Sequence, residues 1–283
     1  MQLSKHPNRA EILLVGNELL IGKTKDTNGA FLIRGLMELG CVVSRMAVVP
    51  DELEAISEAV VNSLSRQPAF LFTSGGLGPT FDDMTLKGVA LGVEKFTGRP
   101  LPLELHERAL EMLKGHYLRS PHAHIAKLSE LNPARRKMAH LPRGSEPIAN
   151  PAGAAPGVHL SVGSTRVFCL PGVPRELEAM FTREVSPLVK KLVVPVEFHQ
   201  GSFLCYDVGE SAMAEGVEKF QRDHPEVYVK THPRLVANLP VEVHVTSFEG
   251  RQPVANALKL LKRLVLDLGG RVVEEPGEGE RLI

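Results

Sequence analysis

Tryptophan is absent from the chain, and aromatic residues make up only 5% of it. Single-stranded nucleic acids stack on aromatic faces, so that class of partner is disfavoured. Net charge is also absent, because 33 basic and 33 acidic residues cancel. This excludes a bulk electrostatic hold on nucleic acid or an anionic membrane, while leaving room for a local basic patch. The three cysteines, Cys41, Cys169 and Cys205, are far apart and form no C-x-x-C. Neither a disulfide framework nor a zinc knuckle is indicated. Cys41 and Cys169 sit in apolar runs and read as small core residues, in keeping with a reducing cytoplasm. No apolar run approaches the ~20 residues of a membrane helix. The segment Met1 to Ala10 is polar and basic, without a signal-peptide core. The expectation is a soluble, cytoplasmic protein.

What is present is a regular alternation. Residues 11–16 form a short apolar run closed by Gly16, the pattern of a buried parallel strand. Apolar residues at helical spacing predict a helix over 27–39, stopped by Gly40. A strand over 41–49, a helix over 52–64, a strand over 69–73 and a helix over 86–95 follow. Strand and helix in alternation predict an α/β fold with a mostly parallel sheet. Further on, a helix is expected over 104–118, another within the basic stretch 119–140, and a hairpin over 158–160 and 166–170 turning at Gly163-Ser164. A boundary is placed near 186–198, giving domains of 1–186 and 187–283. The second domain reads strand 201–208, helix 210–220, strands 227–231 and 241–247, helix 253–268 and strand 271–275. That βαββαβ order is the pattern of a small α+β, ferredoxin-like module, with a frayed tail from Pro276.

The densest chemistry lies in Thr73-Ser74-Gly75-Gly76-Leu77-Gly78-Pro79-Thr80-Phe81-Asp82-Asp83-Met84-Thr85, between a strand and a helix. Glycine amides approach a ligand closely, and helix N-termini present unpaired N–H groups to anions. Carboxylates repel phosphate unless a cation stands between them. Gly75, Gly76, Gly78, Thr80, Thr85 and Lys87 together with Asp82 and Asp83 therefore point to a phosphorylated ligand held with a divalent metal. One aspartate is enough to cap the helix; two exceed that need. The spacing is neither a P-loop nor G-x-G-x-x-G. Hard oxygen ligands suit magnesium or manganese.

Other strand ends add candidates. Glu18 follows the first strand, and Asp51, taken alone, reads as the cap of the helix starting at Glu52. Asn28 suits either a cap or a ligand contact. Arg175 and Glu176 open a helix after Leu170-Pro171-Gly172. Eleven histidines, His122 and His124 among them, show no H-E-x-x-H spacing, so metal binding by them is not favoured. The run Arg135-Arg136-Lys137 reads as a solvated face, with contact to a substrate phosphate as the lesser alternative.

Four motifs carry a family resemblance. They are Gly16-Asn17-Glu18-Leu19-Leu20 with Asp26-Thr27-Asn28, Gly75 to Thr85, Asn150-Pro151-x-Gly153-x-Ala155-Pro156-Gly157, and Leu170-Pro171-Gly172-x-Pro174-x-Glu176. In this order, over roughly residues 10–185, they resemble the N-terminal domain of the CinA family, of MoaB/MogA-like fold. The resemblance implies a three-layer αβα domain and, by pattern only, a ferredoxin- or KH-like second domain. It implies a nucleotide pyrophosphatase that cleaves ADP-ribose or related dinucleotides with magnesium, manganese or cobalt. Asp83 and Asp82, with Asp51, would hold metal, and Glu18 would be a ligand or the base. The glycine turn with Thr80 would cradle phosphate, while Asn28, Asn150, Gly153, Pro171, Gly172 and Glu176 complete the binding residues. The Val-Pro-Asp-Glu turn at 49–52 resembles its MogA counterpart and raises Asp51 above a cap. The alternative reading is a molybdopterin-binding or adenylyltransferase-type protein of molybdenum cofactor biosynthesis; a non-catalytic nucleotide sensor is the third. With 283 residues, no room is expected for the amidase domain that many CinA proteins carry. Relatives assemble as dimers or trimers, so a homo-oligomer is expected. Nucleic acid and membrane partners are not.

Overall fold

The computed structural model describes residues 6–119, 131–196, 198–233 and 240–273. The expected His122-x-His124 pair and the tail from Pro276 lie outside the described residues. The chain divides into two compact units between Val193 and Val194. The dividing point is later than the expected 186, because the helix Ser186–Leu192 buries Val189 in the first unit's core.

The first unit is built on a six-stranded sheet. Its strands are β1 (Arg9–Val15), β2 (Val42–Val49), β3 (Phe70–Ser74), β6 (Glu146–Ile148), β7 (Gly157–Val162) and β8 (Thr165–Leu170), in the order β2-β1-β3-β8-β7-β6. The pairs from β2 to β8 are parallel; β8-β7 and β7-β6 are antiparallel. A two-stranded ladder, β4 (Leu103–Leu105) with β5 (His140–Pro142), lies apart from this sheet. Successive strand residues point to opposite faces, and both faces are apolar. On one side Ala10, Ile12, Leu14, Phe70, Phe72, Phe168 and Leu170 meet α2 (Asn28–Glu38) and the helical stretch from Pro174 to Leu192. The Phe72 and Phe168 rings stack at 5.0 Å. On the other side Leu13, Val15, Leu71, Val167 and Cys169 meet α3 (Leu53–Ser65), α4 (Thr85–Thr97) and α5 (Glu107–Arg119). This is the three-layer αβα architecture. The expected helix over 104–118 begins later, since Leu103–Leu105 is strand β4. The helix expected within 119–140 is described only as Pro133–Lys137.

One charge sits inside this apolar frame. Glu11 is buried, and its carboxylate accepts from Arg66 Nε at 2.7 Å and from Ser63 Oγ at 2.7 Å. Cys41 and Cys169 are buried as expected, and burial pushes their thiols up to about 12 and about 11.

The second unit contains β9 (His199–Tyr206), the helix Glu210–Asp223, β10 (Val227–Pro233), β11 (Val241–Ser247), the helix Arg251–Asp267 and β12 (Arg271–Val273). Its sheet order is β10-β11-β9-β12, and every pair is antiparallel. Each βαβ crossover leaves a gap filled by a strand of the other, the split βαβ pattern of ferredoxin-like modules. Val254, Ala257, Leu261 and Val265 line the buried side of the longer helix. Among the described residues no helix is long and apolar enough to cross a membrane.

Candidate functional site

Strand order reverses direction at β1. The chain leaves β1 toward β2 on one side, then returns to lay β3 on the other. The crevice beyond the carboxyl ends of such neighbouring strands is where open α/β sheets bind ligands. The register brings these ends level: Val15 pairs with Val49, Leu14 with Ser74, and Ser74 with Leu170. The Gly16, Asp51, Gly75 and Pro171 turns therefore emerge along one edge.

Gly75 is forced by this convergence. Its φ is +110°, and a Cβ there would lie 2.1 Å from the backbone oxygen of Val15. Only glycine lets β1 and the turn after β3 approach so closely. The Gly75 N–H continues the ladder by donating to Leu170 O at 3.0 Å. Gly76 is also left-handed, with φ +63°.

A cleft of about 590 Å³ opens at this edge, lined by Glu18, Asp51, Gly75, Gly76, Gly78, Asp82, Asp83, Pro171, Gly172 and Glu176 among others. Ten expected site residues thus share one wall, and no Lys or Arg is among the described residues lining it. Asp51 Oδ2 accepts from the Asn17 backbone N–H at 2.8 Å. Asp51 therefore anchors the Gly16 turn. It does not cap α3, whose N-cap is Glu52 without a side-chain bond. Asp51 titrates above an ordinary aspartate, mainly because it is desolvated; the Asn17 bond opposes this, and the charges of Glu18, Asp82 and Asp83 add to it. Asp82 is held low, chiefly by the Thr80 hydroxyl.

The remaining expected residues play other parts. Thr80 is not a free phosphate donor: its N–H and Oγ1 lie 2.8 and 2.6 Å from Asp83 Oδ2, and Oγ1 is also close to Asp82 Oδ1. Its single hydroxyl proton is shared between the two aspartates. Thr85 is buried, and its Oγ1 donates to Gly75 O at 2.7 Å, so it fixes the turn from beneath. Asn28 is buried behind the cleft and donates to Ser74 Oγ at 3.0 Å and Gly172 O at 2.8 Å, tying two strand-end turns together. Asn150 Nδ2 donates to Glu176 Oε2 at 2.7 Å and to Ala155 O at 2.9 Å. Gly153 lies against the same carboxylate, where a Cβ would come within 2.2 Å of it. Asn150 and Gly153 thus position Glu176.

Lys87 faces elsewhere. With Arg136, Lys137 and His140 it lines a second cleft of about 550 Å³, completed by Leu77, Leu86, Leu131 and Met138. The two clefts adjoin, because Gly76, Leu77, Gly78 and Asp83 line both. Sequence reasoning missed Lys137, whose Nζ donates to the Asp83 backbone oxygen at 2.8 Å and also to Thr80 O. The only signal was the basic run 135–137, in which Arg135 stacks 4.3 Å from the Tyr117 ring.

Among the described residues no three His, Cys, Asp or Glu side chains are grouped to hold an ion. Asp83, Asp82 and Asp51, expected as ligands, line one cleft, and each accepts at one carboxylate oxygen from a threonine or main-chain donor.

The family model described as a probable molybdopterin binding domain matches residues 11–191. A protein of Aeropyrum pernix is 41% identical over 280 residues, covering 96% of this chain and 99% of its own. One of Metallosphaera sedula is 36% identical over 269 residues, covering 92% and 96%. Among solved structures, the CinA protein of unknown function from Thermoplasma acidophilum is 38% identical and superposes with a TM-score of 0.56, covering 67% of this chain and all of its own. The first unit, with its glycine turn and carboxylate cleft, accounts for the family match, and the chain belongs to the molybdopterin-binding domain family, with a CinA-like first unit.

Proposed function

We propose that the first unit binds a phosphorylated pterin of the molybdopterin kind and serves molybdenum cofactor biosynthesis. The observation that carries this reading is the carboxylate-lined cleft at the β1/β3 strand ends, within the span matched by the family. An ionised carboxylate only accepts hydrogen bonds. A pterin's amino-pyrimidinone edge presents N–H donors side by side, which is the complement of such a wall. Glu18 and Glu176, on two different strand-end turns of the cleft, are the acceptors best suited to that edge. The Gly75–Gly78 backbone leaves room for a flat ring to approach. In its enzymatic form this reading is transfer of an adenylyl group from ATP to the ligand's phosphate, the phosphate oxygen bonding to the α-phosphorus as pyrophosphate leaves.

The test is a fluorescence titration of the full chain with an oxidised, phosphorylated pterin. Saturable binding that is lost in a Glu18→Gln, Glu176→Gln double variant supports the reading. Absence of binding by the unaltered chain overturns it.

Hydrolysis of ADP-ribose is the second reading, favoured by the crowding of five carboxylates in one cleft. It ranks behind because the family model matching residues 11–191 is described as a probable molybdopterin binding domain. Assay of ADP-ribose cleavage with magnesium, manganese or cobalt decides it. Turnover lost in Asp83→Ala would restore hydrolysis as the leading activity.

A further inference from the structure

The basic run at 135–137 finds no use in the carboxylate cleft, yet two of its members share a cleft of their own. Lys87, from the first turn of α4, meets Arg136 and Lys137 there, with His140 beside them. Asp83 is the sole carboxylate among the described residues lining this cleft. The Lys87 ammonium and the Arg136 guanidinium have no hydrogen-bonded or ion-pair partner among the described residues. Burial first, then the charge of Lys87, push the Lys137 pKa below its ordinary value, while Asp83 and Asp82 pull it back. Two cations without partners, beside a third that is spent on main-chain oxygens, form a site whose energy an anion lowers. The positive end of α4 adds to this field, since Leu86 and Lys87 belong to its first turn.

Charge is thus divided at the glycine turn. Five carboxylates line one cleft, and three permanent cations line its neighbour. A phosphate placed among the carboxylates is repelled, whereas a few residues away it meets Lys87, Arg136 and Lys137.

We propose that the Lys87–Arg136–Lys137 cleft is the anion subsite of this domain, which takes the phosphate or diphosphate of the ligand while the carboxylate cleft takes its neutral, donor-rich ring. As an assignment within the ligand site it rests on the proposed function, but its chemistry is testable without the pterin. The phosphate contacts expected of Gly75, Gly76, Gly78 and Thr80 move accordingly to the cationic side of the turn.

The probe is inorganic pyrophosphate, titrated calorimetrically into the full chain, then into Lys87→Gln, Arg136→Gln and their double variant. Lys137 is left intact because it also holds the turn. Both substituted side chains are exposed, and circular dichroism confirms that the variants remain folded. Pyrophosphate is expected to bind the unaltered chain, with affinity falling about tenfold or more in the double variant and weakening as salt rises. Unphosphorylated pterin should bind both proteins equally. Pyrophosphate binding that ignores both substitutions, or no binding to the unaltered chain, overturns the subsite. If pyrophosphate binding depends on Lys87 and Arg136 but no pterin binds, the subsite stands and the pterin reading falls.

Discussion

Lys137 holds Asp83 by its main chain: Nζ donates to the Asp83 backbone oxygen at 2.8 Å, although the two residues are 54 positions apart. The same ammonium reaches Thr80 O, so one side chain pins both ends of the segment carrying the aspartates. Lys137→Met removes both bonds while keeping an apolar stem. The expected cost to global stability is about 1 kcal/mol, because the group is partly wet. The local effect should be larger. Amide hydrogen exchange at Phe81 to Met84 should accelerate well beyond the change elsewhere, and an unchanged exchange pattern would show that the turn holds itself.

The pH behaviour of Asp51 follows from its neighbours. Its pKa lies above that of an ordinary aspartate, mainly through burial, with Glu18, Asp82 and Asp83 adding to the rise. The folded chain therefore binds this proton more tightly than the unfolded chain does. Its contribution to stability is full below the ordinary aspartate pKa and is lost as pH rises through the raised value. Asp82→Asn removes one repelling charge, so the Asp51 midpoint should move down. Carboxyl-carbon NMR titration of both proteins reads the shift, and identical midpoints would disprove the coupling.

The buried ion pair gives a prediction independent of the site. Arg66 donates from Nε and Nη2 to Glu11, a bidentate pair at 2.7 and 2.6 Å on a carboxylate that also takes Ser63. Removing the guanidinium leaves a charge buried near the start of β1. Arg66→Ala should cost about 3 kcal/mol, the low end for breaking a buried pair, since Arg66 is partly exposed. A denaturant midpoint unchanged at neutral pH would contradict this account.

Much of this architecture is readable from sequence, and the reasons are local. Ala10, Ile12 and Leu14 face one helical layer while Leu13 and Val15 face the other, so β1 reads as an unbroken apolar run. Gly40 ends α2 in the left-handed region, as its position suggests. The strands Leu103–Leu105, His140–Pro142 and Glu146–Ile148 escaped notice because three residues show no period, and Pro142 and Pro147 make two of them look like loop. At the site, strand ends announce which residues converge but not where their side chains are spent. Thr80, Thr85 and Asn28 belong to the motifs, yet each bonds to protein. Asp51 with Asn17 and Lys137 with Asp83 join distant stretches, and no spacing rule reports such pairs.

A resident metal site would make magnesium a ligand of the chain in its own right. Asp51, Asp82 and Asp83 each accept at one oxygen from Asn17 or Thr80, and among the described residues no three acids are grouped to hold an ion. Magnesium alone should therefore bind no more tightly than about millimolar, the range of weak oxygen sites. Calorimetric titration with the ion alone measures this. Micromolar binding abolished by Asp83→Asn would mean that the carboxylates rearrange around a metal.

The glycine turn supplies the last prediction, because two left-handed glycines in the same unit differ in what surrounds them. Gly163 has φ +58° with nothing within 4 Å of an added Cβ, while Gly75 has φ +110° with Val15 O at 2.1 Å. Alanine at 163 pays only for the left-handed backbone, about 1 kcal/mol. Alanine at 75 costs roughly 1–3 kcal/mol from the dihedral alone, and its Cβ also strikes a backbone atom of β1 that no rotamer change can move. Gly75→Ala should therefore be the more destabilising in urea and should also reduce pterin binding, since the turn forms part of both clefts. Gly163→Ala should leave binding unchanged. Equal urea midpoints for the two variants would mean that the approach of β1 to the turn is not what requires glycine at 75.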